Sequence, residues 1–410
     1  MNITCEAGAL QRALALVKPA VPGRPRVPIL ANVLLVAAGG RLRLAATDLG
    51  LLIACGLPAQ VEREGAVAVP YARLAAWMSG LPGAARSGSK RKGAQQGQPA
   101  PAVVALEVAA DSRRVTVSCG RRSATIPGER AEDFPGLPTF EEVAHAGKTV
   151  VELDLPLFCK MVEQVSIASD PRDPRVPYGR LALQAEAGHL SLAARNEGTL
   201  AQCEGAMQAG HLGRLSLALP ALDVAKAVRV LQGTGQASVQ VAVEREWPRV
   251  LFHTPGLDLV MSLYEQESPE LGQLVPHAAR SLVVVEREAL VSALAFVAFV
   301  AKRNGHAIEL RALPGSGTLL VEARDKELGE QATEIEVTSA EALAGFRCAP
   351  VFGLLDQLVA TAGGTSIELA WYAEPGTIVL RSQLASPPCL TTYALLRTRA
   401  AEEPWQGGRP

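Results

Sequence analysis

The pattern of apolar and polar positions repeats along this chain on a long scale. Three stretches begin as a short alternating strand and pass at once into helical spacing. Ile3-Thr4-Cys5-Glu6 leads into Leu10, Ala13, Leu14 and Val17. Val151-Glu152-Leu153-Asp154 leads into Phe158, Met161, Val162 and Val165. Val283-Val284-Val285-Glu286 leads into Leu290, Ala293, Leu294 and Val297. A period of two followed by apolar positions three and four apart predicts a strand feeding an amphipathic helix. An acidic residue stands at each junction, where the positive end of the helix dipole favours it.

The elements that follow recur in the same order. Gly40 to Asp48, Gly188 to Asn196 and Gly317 to Asp325 each alternate like a strand and end in a polar turn. Second helices are predicted over Tyr71 to Leu81, Ala221 to Leu231 and Pro350 to Ala362, with Pro70, Pro220 and Pro350 close to their starts. Hairpins come next: Val103 to Val108 with Arg114 to Cys119, Ser238 to Val243 with Val250 to His253, and Ser366 to Trp371 with Ile378 to Arg381. The landmarks shift by roughly 150 residues from the first block to the second, and by roughly 130 from the second to the third. Several independent landmarks keep those offsets, so the chain reads as three diverged copies of one α+β unit, two helices against antiparallel sheet. The copies are expected over 1–145, 146–277 and 278–402, with a disordered tail over 403–410. Asp48, Asn196 and Asp325 share one repeat position, which predicts a turn role, since an active site is seldom needed three times.

One segment breaks the pattern. Gly83 to Pro101 is rich in Gly, Ser, Ala, Gln and Pro and is expected to be a disordered insertion in the first copy, which accounts for the longer first offset. Its Lys90-Arg91-Lys92 run reads first as a solvated loop and second as a phosphate contact.

Composition narrows the function. Nearly half the residues are hydrophobic (48%) but only 4% are aromatic, so the core must be built from Ala, Val and Leu. The seven cysteines form no C-x-x-C pair, which suits a reducing cytoplasm with buried thiols. No signal peptide is expected at the N-terminus. The longest apolar run, Ala289 to Ala301, is too short to span a bilayer and reads as a buried or interface helix. The six histidines share no metal-ligand spacing with one another or with cysteine, and there is no Walker loop, HExxH or G-x-S-x-G. Neither a metal, a cofactor nor a catalytic residue is expected. A cysteine nucleophile has little support because no histidine is placed to activate one.

The basic residues say more. Arg12, Lys18 and Arg73 fall on helices of the first copy with Arg24 just beyond; Lys160, Lys226 and Arg229 fall on those of the second; Lys302-Arg303 ends the first helix of the third. A formal net charge of -1 excludes binding by bulk charge. Equivalent helices lining one surface would nevertheless gather these side chains into a diffuse positive face that holds phosphates without reading sequence.

At this point the chain resembles the bacterial sliding-clamp family, the beta subunit of DNA polymerase III. The resemblance rests on Gly23-Arg24-Pro25, on Val27-Pro28-Ile29-Leu30-Ala31-Asn32-Val33-Leu34-Leu35 and on Ala46-Thr47-Asp48-Leu49, with support from Asp133-Phe134-Pro135-Gly136-Leu137 and Gly345-Phe346. It implies three tandem copies of the DNA-clamp fold and a head-to-tail homodimer closed into a ring around duplex DNA. The ring would tether the replicative polymerase without an active site of its own.

By position, the resemblance implies Arg24 and Arg175 on the DNA side, joining Arg73, Lys160, Lys226 and Arg229. It puts Phe299 and Val300 at the ring interface, with Ala124 opposite where a larger aromatic is usual. It also implies a groove for short peptides of the polymerase alpha subunit, the clamp loader and repair proteins. The matching positions are Tyr178, Arg195, Glu197, Gly198, Thr199, Leu200, Pro269, Gln273, Leu274, Thr377, Ala394, Leu395, Leu396, Arg397 and Arg399. The usual Thr-Asp-Gly-His-Arg-Leu stretch is here Arg195-Asn196-Glu197-Gly198-Thr199-Leu200, and the usual Met-Pro-Met-Arg-Leu ending is Leu396-Arg397-Thr398-Arg399-Ala400. Those departures keep a second reading open: a clamp-like paralogue, resistance copy or mobile-element clamp with an altered groove.

Overall fold

The structure, a computed structural model, describes residues 1–81, 102–108, 113–136, 140, 150–172, 176–207, 215–244, 248–264, 281–313, 315–373, 376–396 and 399–400. The expected insertion over 83–101 and tail over 403–410 lie outside these residues. The chain divides into two compact units, Met1–Val151 with Val239–Ser262, and Glu152–Ser238 with Leu263–Pro410. This division cuts through the second copy of the sequence repeat, because sheets run on from one copy into the next.

In the first unit, α1 (Ala7–Val17) buries Ala7, Leu10, Ala13, Leu14 and Val17, and α2 (Tyr71–Ser79) buries Leu74 and Met78. Gln11 donates to the Met78 carbonyl at 2.8 Å and the Tyr71 hydroxyl to that of Leu14 at 3.3 Å, fixing the helices side by side. Strands Asn32–Ala38, Arg41–Thr47 and Leu51–Pro58 pair antiparallel in succession. Leu257–Ser262, from the second copy, then pairs with Leu51–Pro58, Val260 opposite Leu52. Leu34, Ala45, Leu52, Leu251 and Val260 share one buried cluster, on which Phe134, Ala131 and Phe140 pack. Phe140 stacks on His253 at 4.6 Å between centroids, and Asp258 lies 2.7 Å from His253 Nδ1 while accepting from Arg43 at 3.0 Å. A second sheet runs Gln60–Arg63, Asn2–Glu6, Val103–Val108, Arg114–Cys119 and Arg122–Pro127, leaving the last strand as an edge.

The second unit holds α3 (Leu155–Val165), α4 (Ala221–Gln232), α5 (Arg287–Ala301) and α6 (Phe352–Thr361). The apolar positions expected on α3 and α5, Phe158, Met161, Val162, Val165, Leu290, Ala293, Leu294 and Val297, are all buried. Strands Arg180–Glu186, His189–Arg195 and Thr199–Ala206 pair in order. Pro388–Leu395 of the third copy then joins Thr199–Ala206, with Thr199 opposite Leu395. Gln164 of α3 is fully buried at this junction. It donates to the Thr361 carbonyl at 2.8 Å and accepts from the Tyr393 hydroxyl at 2.8 Å, so one side chain joins α3, α6 and a strand. A buried amide satisfied at both ends specifies position in a way aliphatic packing cannot.

Two sequence expectations need refinement. Glu6, Asp154 and Glu286 all occupy the N-cap, yet only the Asp154 carboxylate accepts a cap bond, from the Leu157 amide at 2.7 Å. The shorter aspartate reaches the third helical amide that glutamate overshoots. The sequence pattern also missed the strand Gly329–Glu341, 13 residues long, whose only buried side chain is Ile335. Polar residues on both faces hide its period of two.

The shared turn position behaves alike in all three copies. Asp48 accepts from the Gly50 and Leu51 amides at 3.1 and 2.8 Å, Asn196 from Gly198 and Thr199 at 3.0 and 2.9 Å, and Asp325 from Glu327 and Leu328 at 2.8 and 2.9 Å. The amides of Leu328 and Glu327 hold the Asp325 carboxyl below its usual range. Such side-chain acceptors fold the chain back at a strand end. Asn196→Ala is expected to cost about 1–2 kcal/mol of stability and to lower the thermal midpoint, whereas Asn196→Asp, which keeps the acceptor, should melt near the parent; calorimetry of the three proteins checks this.

Candidate functional site

The Asn196 turn organises the region where the second and third copies meet inside the second unit. It delivers Thr199 into pairing with Leu395, and the Leu396 amide donates to the Gly198 carbonyl at 2.9 Å. Alternation along these strands puts Leu200 and Ala394 on one face. They share a cluster with Ala193, Leu282, Ala370, Tyr372 and Val379, on which Leu396 packs half-buried. Leu200, at 0% exposure, is therefore floor rather than rim, whereas Leu395, at 3%, pairs opposite Thr199 and lies on the other face of the sheet. The half-buried side chains at the rim are Tyr178, Arg195 and Leu396. Leu354 of α6, which no sequence signal marked, lies close to Gly198: a Cβ there would stand 3.8 Å from its side chain.

Electrostatically the rim is unusual. The Arg195 guanidinium lies over the Tyr178 ring, 5.7 Å from its centroid. Its Nε is buried and has no hydrogen-bond partner among the described residues, and neither has the buried Thr199 hydroxyl. A buried N–H without an acceptor costs free energy that a ligand oxygen would recover. Pro269, Gln273, Leu274 and Arg397 lie outside the described residues.

The basic positions divide into two kinds. Arg24, Arg73 on α2 and Arg229 on α4 are exposed. Lys160 instead pairs with Glu163 at 3.0 Å and Lys226 with Asp223 at 3.0 Å, each within one helical turn. Each lysine thus carries its own counter-charge, which thins the positive face that composition suggested. Arg175 lies outside the described residues.

A third region gathers exposed apolar and charged groups. On α5, Phe299 is 61% exposed but Val300 only 1%, because Val300 turns into the chain's own core. Val300 is therefore unavailable to a partner, and the residue beside Phe299 on the open face is Phe296, 54% exposed, which the sequence reading passed over. The i, i+3 spacing of the two rings was the signal. Helix α5 packs beside the strand Gly329–Glu341, whose Gly329–Glu336 half pairs on one side only, with Thr318–Asp325, among the described residues. Glu330, Glu334 and Glu336 line this open strand. In the first unit, the edge strand Arg122–Pro127 carries Ala124, half-buried, and begins beside exposed Arg121 and Arg122.

Among the described residues no group of three or more His, Cys, Asp and Glu could hold a metal ion, and no helix is long and apolar enough to cross a membrane. Comparison with known proteins agrees with this architecture. Residues 1–86 match the family described as DNA polymerase III beta subunit, N-terminal domain. The beta sliding clamp of Synechococcus elongatus is 28% identical over 345 residues, covering 82% of this chain and 84% of that protein. The beta sliding clamp of Caulobacter vibrioides is 25% identical over 342 residues, with the same shares. Among solved structures, the Bacillus subtilis DNA polymerase sliding clamp superimposes with a TM-score of 0.83 at 16% identity, covering 98% of this chain and 99% of that one. The Pseudomonas aeruginosa DNA polymerase III beta subunit gives 0.80 at 19%, covering 98% and 100%. For the groove floor, Leu200→Ala is expected to destabilise the protein by about 2–5 kcal/mol, read as a lower denaturation midpoint.

Proposed function

We propose that this chain, a divergent member of the DNA polymerase III beta-subunit family, works as a DNA sliding clamp, a homodimeric ring that encircles duplex DNA and tethers the replicative polymerase. The observation that carries the reading is likeness to sliding clamps along nearly the whole chain, in a protein with complementary open edges. The strand Arg122–Pro127 begins with exposed Arg122, preceded by exposed Arg121; the strand Gly329–Glu341 carries Glu330, Glu334 and Glu336, of which Glu330 pairs with Arg324 at 3.2 Å, and is flanked by Phe296 and Phe299. Pairing one with the other, head to tail, would satisfy unpaired backbone groups, bury the two rings and match opposite charges. Ala124 would offer little apolar area on its side, so Phe296 and Phe299 carry most of the apolar contact.

In this reading the three copies divide the chain near 145 and 277. Arg24, Arg73, Arg175 and Arg229 face the DNA, with Lys160 and Lys226 exchanging their carboxylate partners for phosphates. Few contacts on a near-neutral protein suit weak, sequence-independent binding. Retention comes from topology rather than affinity, so the chain needs no reaction of its own. Sedimentation is expected to give a species near twice the 43.0 kDa chain mass. Phe296→Asp with Phe299→Asp should reduce it to a folded monomer, and only the parent should stay on nicked circular DNA and slide off once the circle is cut. A parent that stays monomeric at micromolar concentration, or is held equally by linear DNA, would sink the proposal.

The groove supports a second reading, a clamp-like protein serving its own partner set. The basic side chain that the family pattern carries at the position of Thr199 stands here at 195, with its Nε unpartnered. A peptide presenting a carboxylate beside its leucine or phenylalanine anchor fits that guanidinium better than a neutral one. A fluorescent apolar peptide carrying Asp is expected to bind several-fold more tightly than its Asn analogue, and Arg195→Ala should erase the difference. Equal binding of both peptides by the parent would leave the groove but remove the preference; binding of neither would remove the groove.

A further inference from the structure

The junction of the first and second copies repeats the floor of the candidate groove, which lies at the junction of the second and third. Four residues past the Asn196 acceptor, Leu200 stands opposite Ala394, Ala394 opposite Val379 and Val379 opposite Ala370. Four residues past Asp48, Leu52 stands opposite Val260, Val260 opposite Leu251 and Leu251 opposite Ala242. Each row is buried within one apolar cluster, which Ala193 extends in the one case and Ala45 in the other. The two rows thus share register, turn and aliphatic character, each within its own compact unit.

What lies on the two floors differs. Against the second, the described residues that pack half-buried are Val284 and Leu396. On the first, Phe134 is part of the cluster itself, at 5% exposure, and Ala131, Phe140, Ile29 and Val36 pack on it. Phe134, Ala131 and Phe140 belong to the connector that leads from the first copy into the second. A short 3₁₀ turn, Ala131–Asp133, brings the chain onto the floor, and the Phe134 amide donates to the Ala131 carbonyl at 3.1 Å. Farther along, Phe140 stacks on His253, whose Nδ1 lies 2.7 Å from Asp258, and Asp258 accepts from Arg43. The connector is therefore fastened at two aromatic points. In sequence, the first copy has Phe134 ahead of Pro135, whereas the second has Ser268 ahead of Pro269.

We propose that the first junction is a second peptide-binding floor held closed in cis, with Phe134 as its resident anchor, so that each chain offers one open groove rather than two. The ligand class rests on the groove reading given above: a short peptide with a leucine or phenylalanine anchor. The resident ring prevails because it is tethered. Glu129, five residues ahead of it, exchanges backbone hydrogen bonds with Ala68, so the effective concentration of Phe134 at the floor far exceeds that of any free peptide. One position at the rim separates the two sites. Arg195 stands opposite Leu200, but Thr47 stands opposite Leu52. The Thr47 hydroxyl accepts from the Leu49 amide at 3.0 Å. The first floor has no guanidinium at the place of Arg195, so it takes acidic and neutral peptides alike.

The test counts the peptides bound to the full-length chain, by native mass spectrometry and titration calorimetry, using the Asp and Asn forms of the apolar peptide. The parent is expected to take one per chain. Phe134→Ala, shown to be folded by circular dichroism, is expected to take two. The added site should bind both forms equally, while the original site keeps its preference for Asp. Where the substitution prevents folding, the parent is given a free decapeptide with the sequence of residues 131–140. It should displace the labelled peptide from the open groove, and the same decapeptide carrying Phe134→Ala should not. One peptide per chain on folded Phe134→Ala, or no displacement by the decapeptide, would overturn the proposal. A parent that binds no peptide beside a Phe134→Ala protein that binds one would remove the groove reading and leave the first floor standing; binding by neither would remove both.

Discussion

Backbone pairing across the boundaries of the sequence repeat is the constraint on which this structure rests. The first and second copies each end a sheet at a strand whose outer amides and carbonyls a strand of the next copy pairs. Leu51–Pro58 is completed by Leu257–Ser262 of the second copy, and Thr199–Ala206 by Pro388–Leu395 of the third. An open strand edge is a template that the next copy covers, so successive copies share ladders rather than standing as independent beads. The same rule accounts for the two compact units cutting through the second copy. It also explains why the Asp48 and Asn196 turns matter: each delivers a strand into one of these shared ladders.

Charge is arranged with equal economy. A sequence with net charge -1 has no overall field to draw it to DNA. Lys160 and Lys226 are internally compensated, while Arg24, Arg73 and Arg229 stand exposed. In the proposed role, weak and dispersed cations would suit a surface that holds a polyanion without stopping its movement, since each added fixed phosphate contact steepens the dependence on salt. Arg195 is different in kind. Its guanidinium is packed against an aromatic ring at the edge of an apolar floor, where a single acceptor has a large effect.

Much of the fold was legible in the sequence, because most helices and sheet strands face a core on one side only. Leu10, Ala13, Leu14 and Val17, and their counterparts in the other copies, are buried as their spacing required. The turn role of Asp48, Asn196 and Asp325 followed from recurrence alone. The site was less legible, for physical reasons. Period cannot say which side of a uniformly apolar helix meets solvent, so Val300 and Phe299 looked alike until burial separated them. Gly329–Glu341 carries polar groups on both faces and so shows no period.

In the proposed ring, the acid on Gly329–Glu341 has a consequence beyond attraction to a basic strand. An open strand edge is indiscriminate, and two copies of the same edge could pair with each other. Two such strands brought together antiparallel about Thr333 would set Glu330 of one chain against Glu336 of the next. Like charges directly across a ladder are destabilising. In the proposed ring, the acidic edge would thus disfavour its own copy, and the polarity of assembly would be a property of the individual strand, set before any second subunit arrives.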